Sequence, residues 1–177
     1  MALVFGHLLI EMGEYTKARE YFDTILRSSS PTDDEVACIY HNVGRAHQLK
    51  GDYGRALACL YRAYETHLSA RPPRLIGAAK AINAIGIVYI KQGNLDQAIN
   101  SFERALNLYK KNTEQCQEYI AETFINLGKI QYQQDRFSKA LSSFTRAQKM
   151  YERYLPPDHP NIAFVLINIG NLHYQQQ

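Results

Sequence analysis

The chain is 177 residues long, with 21% charged and 46% hydrophobic residues and a net charge of only +3. This is a globular composition, which excludes a disordered chain. The charge is too small to make nucleic acid or an anionic membrane the expected partner. Three cysteines, Cys38, Cys59 and Cys116, are odd in number and irregularly spaced. That argues against a disulfide framework and suits a reducing compartment, so the expected location is cytoplasmic. No apolar run is long enough to cross a bilayer as a helix.

The first ten residues, Met1 to Ile10, look superficially like a signal peptide, but they lack a basic start and run directly into Glu11. They are expected to form a helix of the fold, over 2–12. That helix begins mid-pattern, with no capping residue ahead of it, as a fragment of a longer protein would. A second helix is expected over 15–28. The breaker Ser28-Ser29-Ser30-Pro31 follows, and Thr32 with Glu35 has capping-box spacing ahead of a helix at 34–50. Helices are then expected at 53–69, 75–92, 95–112, 116–134, 137–154 and 160–176. Arg71-Pro72-Pro73 closes the helix at 53–69, and Pro156-Pro157-Asp158-His159-Pro160 closes the one at 137–154. His159 is expected to shape this loop. The last helix is apolar nearly all round at its start, through Ile162, Phe164, Val165, Leu166, Ile167, Ile169 and Leu172. That is how a buried helix reads, yet no helix follows to cover it. The expectation is that the natural protein continues past Gln177, or that this end self-associates with a second copy.

An internal repeat organises these elements. Gly6, Gly44, Gly86, Gly128 and Gly170 are spaced by 38, 42, 42 and 42 residues. Seven residues after the first four comes Gly13, Gly51, Gly93 or Asp135, and nine after comes Tyr15, Tyr53, Leu95 or Phe137. Twelve after comes Ala18, Ala56, Ala98 or Ala140, and sixteen after comes Phe22, Leu60, Phe102 or Phe144. Nineteen after comes Ile25, Ala63, Ala105 or Ala147. The first glycine and the alanine at plus twelve are small enough for two antiparallel helices to approach closely. The residue at plus seven can take the left-handed conformation that ends a helix, which Asp135 tolerates at some cost. The large residues at plus nine and plus sixteen fill the space between helices. Each unit is therefore helix A, a tight turn and helix B.

A small residue or glycine, an aromatic, an alanine, an aromatic and an alanine at these offsets resemble the tetratricopeptide repeat over essentially the whole chain. The 42-residue period resembles the kinesin light chain subclass, as do Asp158-His159-Pro160 and the Asn-x-Gly sequences ending at Gly44, Gly128 and Gly170. The aromatic usual near the start of helix A is missing, and the first repeat is short. The resemblance implies an all-α, right-handed superhelical solenoid: a single array over 1–177, with repeats at 1–31, 32–73, 74–115 and 116–158 and a partial repeat at 159–177. It also implies that the A helices line a concave face that binds a peptide.

Within that fold, four positions around each key glycine point into the groove. In the second repeat they are Cys38, His41, Arg45 and Gln48, and in the third Lys80, Asn83, Ile87 and Ile90. In the fourth they are Glu122, Ile125, Lys129 and Tyr132, and in the last helix Phe164, Ile167, Asn171 and Tyr174. Asn42, Asn126 and Asn168 border the stripe. The amides suit a peptide backbone. Arg45, Lys80 and Lys129 outnumber Glu122, which favours an acidic or phosphorylated ligand. Tyr132, Tyr174 and Ile87 could hold an apolar anchor. A clamp for a carboxylate-ended tail is not expected, because Ala84 stands where its central Asn belongs and Glu122 where a lysine belongs.

No nucleophile elbow, phosphate loop or carboxylate pair is visible, so no enzyme and no cofactor are expected. Cys38 and His41 lie three apart without a second pair at metal-ligand spacing, so no metal site is expected. His47 is expected to pack in the core, and the thirteen tyrosines to pack mostly on B helices and between helices. The leading expectation is a scaffold or adaptor for a protein or peptide. Two alternatives are a regulatory array attached to a catalytic domain elsewhere in a longer chain, and an RNA-binding helical array.

Overall fold

The computed structural model describes residues 2–28 and 32–175. Among them are nine α-helices, one 3-10 segment and no strand. The helices are α1 Ala2–Glu11, α2 Tyr15–Ser28, α3 Asp33–Leu49, α4 Tyr53–Ser69 and α5 Leu75–Lys91. They continue as α6 Leu95–Tyr109, α7 Gln117–Gln133, α8 Phe137–Tyr154 and α9 Pro160–Gln175. The expected spans agree at most ends to within a residue. Residues 29–31 of the first breaker, and residue 176 of the last expected helix, lie outside the described residues.

The turn inside each repeat has one construction. Gly13, Gly51 and Gly93 have φ of 79°, 82° and 77°, and Asp135 has φ of 55°. In the first, the Gly13 N–H donates to the Ile10 carbonyl at 3.0 Å and the Glu14 N–H to the Leu9 carbonyl at 2.8 Å. The same pair recurs at Gly51 with Asp52, Gly93 with Asn94 and Asp135 with Arg136. This pair of hydrogen bonds satisfies two orphan carbonyls at each A helix end, and it needs a left-handed residue. The expected capping box also forms: Thr32 accepts from the Glu35 N–H, and the Glu35 carboxylate accepts from the Thr32 N–H at 2.9 Å. His159 shapes the loop before α9, as expected, by accepting from the Asn161 N–H through its Nδ1 at 3.2 Å.

One boundary departs from expectation. The helix expected over 95–112 ends at Tyr109, and Lys110–Cys116 winds as a 3-10 segment into α7. No proline or glycine marks this junction.

The chain divides into two compact units, Met1–Ser101 and Phe102–Gln177. In the first, a Cβ on Gly6 would lie 2.2 Å from the Phe22 ring, and one on Gly44 would lie 2.8 Å from Leu60. In the second, a Cβ on Gly128 would lie 2.6 Å from the Phe144 ring. The key glycine of helix A is thus the seat of the large residue at plus sixteen on helix B. Ala18, Ala56, Ala140 and Ala147 are fully buried beside these seats. Around them lie two cores, one including Ile10, Phe22 and Ile39, the other Phe144, Tyr151, Ile162 and Val165.

Helix α9 buries only part of its apolar surface. Ile162, Val165 and Leu172 are buried, but Leu166 is 48% and Ile167 61% exposed. Only one stripe of α9 meets α8, and no side-chain or backbone atom would meet a Cβ on Gly170 within 4 Å.

Candidate functional site

Several of the expected groove residues come together, in one cavity within each unit. In the first unit, Cys38, His41 and Asn42 from α3 and Lys80 from α5 line a cavity of about 270 Å³. The side chain that completes it comes from a B helix: His67 of α4, only 6% exposed. Its ring lies where a Cβ on Gly77 would be, 2.5 Å from its Cε1, so glycine at position 77 is what seats it. The His67 Nδ1 is buried with no hydrogen-bond partner. Burial pushes the His41 imidazole down to about 4, and the neighbouring His67, Lys80 and Arg45 push the same way. Burial also lowers the His67 pKa and raises that of the Cys38 thiol. At neutral pH this cavity presents neutral imidazoles and a thiol beside one lysine and the Asp34 carboxylate, which is paired with Arg74 at 3.4 Å.

The second unit builds a different surface. Lys129, Tyr132 and Gln133 of α7 face Asn168, Asn171 and Tyr174 of α9 across a groove of about 340 Å³, floored by Phe144. Tyr174 is 78% exposed. The Lys129 ammonium sits 4.6 Å from the Phe164 ring centroid, a cation–π contact. Burial lowers the Lys129 pKa.

Other expected residues are placed differently. Arg45 donates to the Glu11 carboxylate of α1 at 2.7 Å, so the charge counted towards an acidic ligand already has a partner. The Asn42 and Asn168 amides donate back to their own helices, to the Cys38 carbonyl at 2.9 Å and the Phe164 carbonyl at 2.7 Å. Each retains its carbonyl oxygen and a second N–H. Gln48, Asn83 and Ile87 are half-buried on α3 and α5, outside the cavity lining. Asn126 is half-buried on α7, away from the second groove's lining. Glu122 is exposed, and it raises the pKa of the Tyr109, Tyr151 and Tyr154 hydroxyls, behind the larger effect of their burial. His47 is nearly buried, with its Nδ1 3.6 Å from Asp52. Among the described residues, no three His, Cys, Asp or Glu side chains are grouped to hold a metal ion.

Sequence reasoning missed His67, because the groove stripe was drawn on A helices alone. The signal was present at Gly77, a glycine inside helix α5 that no turn requires. Gln133 was missed because it lies next to the stripe position Tyr132.

The chain matches the tetratricopeptide repeat family model over residues 1–69, 35–111 and 119–177, and it belongs to that family. It is 29% identical over 112 residues to the Drosophila melanogaster protein named tetratricopeptide repeat protein 19 homolog, mitochondrial. That match takes in 61% of this chain and only 30% of the relative. Among solved structures it is similar to BtubC (BKLC) of P. vanneervenii, with a TM-score of 0.83 at 15% identity over 98% of this chain and 70% of that one. The TPR-like repeats assigned to a kinesin light chain of Podosopora anserina give a TM-score of 0.76 at 12% identity, over 99% and 85% of the two chains. At such identities the likeness is one of fold: an all-α array of helix-turn-helix repeats of the kind that serves as a protein-interaction scaffold.

Proposed function

We propose that this chain binds an extended segment of a partner protein on its A-helix face, without catalysing a reaction. The observation that carries this reading is the groove between α7 and α9. There, side-chain amides of Gln133, Asn168 and Asn171 stand beside the rings of Tyr132 and Tyr174. Amides can pair with the unspent N–H and C=O groups of an extended backbone, and tyrosine rings can hold an apolar side chain at little entropic cost. The ligand class that fits is an extended peptide with an apolar or aromatic anchor. A preference for acidic flanking residues rests on Lys129 at the groove itself, since Arg45 is already paired with Glu11. The cytoplasm remains the proposed location, on the strength of three free cysteines.

The test is selection of a displayed random-peptide library on the whole chain, followed by titration of the selected peptides against Tyr174→Ala with Asn171→Ala. Both residues are exposed at the groove surface, so the melt should be unchanged while affinity falls at least tenfold. Peptides that bind the double variant as tightly as the parent would place the binding face elsewhere.

A further inference from the structure

The first unit carries another cavity, a cleft of about 210 Å³ at the turn end of its helices. Tyr15, Thr16 and Arg19 from the start of α2 line it, with His47 and Lys50 from the end of α3 and Asp52 and Arg55 from the start of α4. Three of these side chains are permanent cations and one is a carboxylate. The carboxylate is largely committed. Asp52 caps α4 by accepting from the Arg55 N–H at 3.3 Å, and its Oδ2 lies 3.4 Å from the Arg55 Nη1 and 3.6 Å from the His47 Nδ1. Arg19 is poorly matched. It meets the Glu20 carboxylate only at 3.9 Å, and its Nε is buried with no hydrogen-bond partner. Lys50 donates to the Thr16 hydroxyl oxygen at 3.1 Å, which leaves the Thr16 hydroxyl hydrogen to donate elsewhere.

Two features bear on the field at this cleft. Burial lowers the His47 pKa and Asp52 opposes this, but Arg55, Arg19 and Lys50 all push it further down. The three cations therefore act on one spot. The cleft lies at the amino ends of α2 and α4, where the helix dipoles favour an anion, and at the carboxyl end of α3, where the dipole opposes one, so the cationic side chains carry the attraction.

We propose that this cleft binds a phosphate monoester, with Arg19, Lys50 and Arg55 as its charge partners and Thr16 as a hydroxyl donor. An excess of two positive charges matches a dianion better than a single carboxylate, and guanidinium forks suit phosphate oxygens. The volume falls below the roughly 300–1,000 Å³ of a pocket for a whole small-molecule ligand. It fits a phosphoryl group at the end of a longer molecule, or phosphate alone.

The experiment is calorimetric and NMR titration of the full chain with a phosphoserine pentapeptide, its unphosphorylated form and inorganic phosphate. The His47 imidazole is the reporter. Saturable binding of the phosphoserine peptide is expected, with none of the unphosphorylated one and an at least tenfold loss in Arg19→Gln with Arg55→Gln. On saturation the His47 pKa should rise, because the bound anion offsets the three cations. If inorganic phosphate binds as tightly as the peptide, the site is a phosphate site and the peptide adds nothing, which still supports the chemistry. Should the double variant melt early, Lys50→Gln, an exposed position, must weaken binding several-fold. Failure of both phosphate compounds to saturate, or equal binding by a folded variant, overturns the proposal.

Discussion

The two units repeat one helical plan and arrive at different surfaces. Between α3 and α5 the first unit encloses two imidazoles, a thiol, a lysine and the Asp34 carboxylate, with His67 seated on Gly77. Between α7 and α9 the second unit exposes amides and tyrosine rings over Phe144. The packing glycines, alanines and turn residues are shared, so the scaffold leaves the remaining positions free to vary. One interior titrates in acid, and the other carries the apolar and amide groups that suit a peptide.

The largest expected effect probes the shared scaffold. Phe144 fills the seat at Gly128 and also floors the second groove. Phe144→Ala should cost about 3–5 kcal/mol by chemical denaturation. Hydrogen exchange should show the loss in α7–α9 first. An equal loss of protection in α1–α5 would mean that the two units unfold as one.

Acid and alkali should then separate the units. The folded pKa of His41 is about 4, below its ordinary 6.5. Folding therefore favours the neutral imidazole, and its contribution is present above pH 6.5 and lost as pH falls through that window. The loss should be on the order of 2 kcal/mol, and His41→Asn should reduce it, leaving the smaller contributions of His47 and His67. In the second unit, burial raises Tyr151 and takes Tyr154 to about 12. There folding favours the neutral phenol, so stability should fall as pH rises above 10. Urea midpoints followed by amide exchange in each unit check both. Acid loss confined to α7–α9 would contradict the assignment.

The smallest effect compares two glycines of the same register. Gly128→Ala should destabilise by about 1–3 kcal/mol through its clash with Phe144. Gly170→Ala meets open space in mid-helix and should stabilise by roughly 0.5–1 kcal/mol. Thermal melts of the two variants decide it.

Most of the fold was legible in the sequence because its determinants are local or periodic. A left-handed residue at plus seven ends a helix whatever surrounds it, even as Asp135. The seats at Gly6, Gly44 and Gly128 follow from a fixed offset of sixteen. The candidate site was legible only in part. Lys129, Tyr132, Asn168 and Asn171 converge because two A helices of one unit present the same register. Arg45 does not join them, because its charge is met by Glu11, 34 residues away on another helix. His67 was invisible to a rule restricted to A helices. The 3-10 junction at Lys110–Cys116 carries no breaker that could mark it. The apolar run of α9 was legible, but which of its residues are covered is set by the one face that packs on α8.

The central claim is that a peptide lies against the A helices. A photoreactive phenylalanine analogue placed at Gln133, in the α7–α9 groove, should crosslink a selected peptide efficiently. The same probe at Lys139, exposed on α8, should not. Crosslinking from Lys139 with none from Gln133 would place the ligand on the B-helix face and contradict the account.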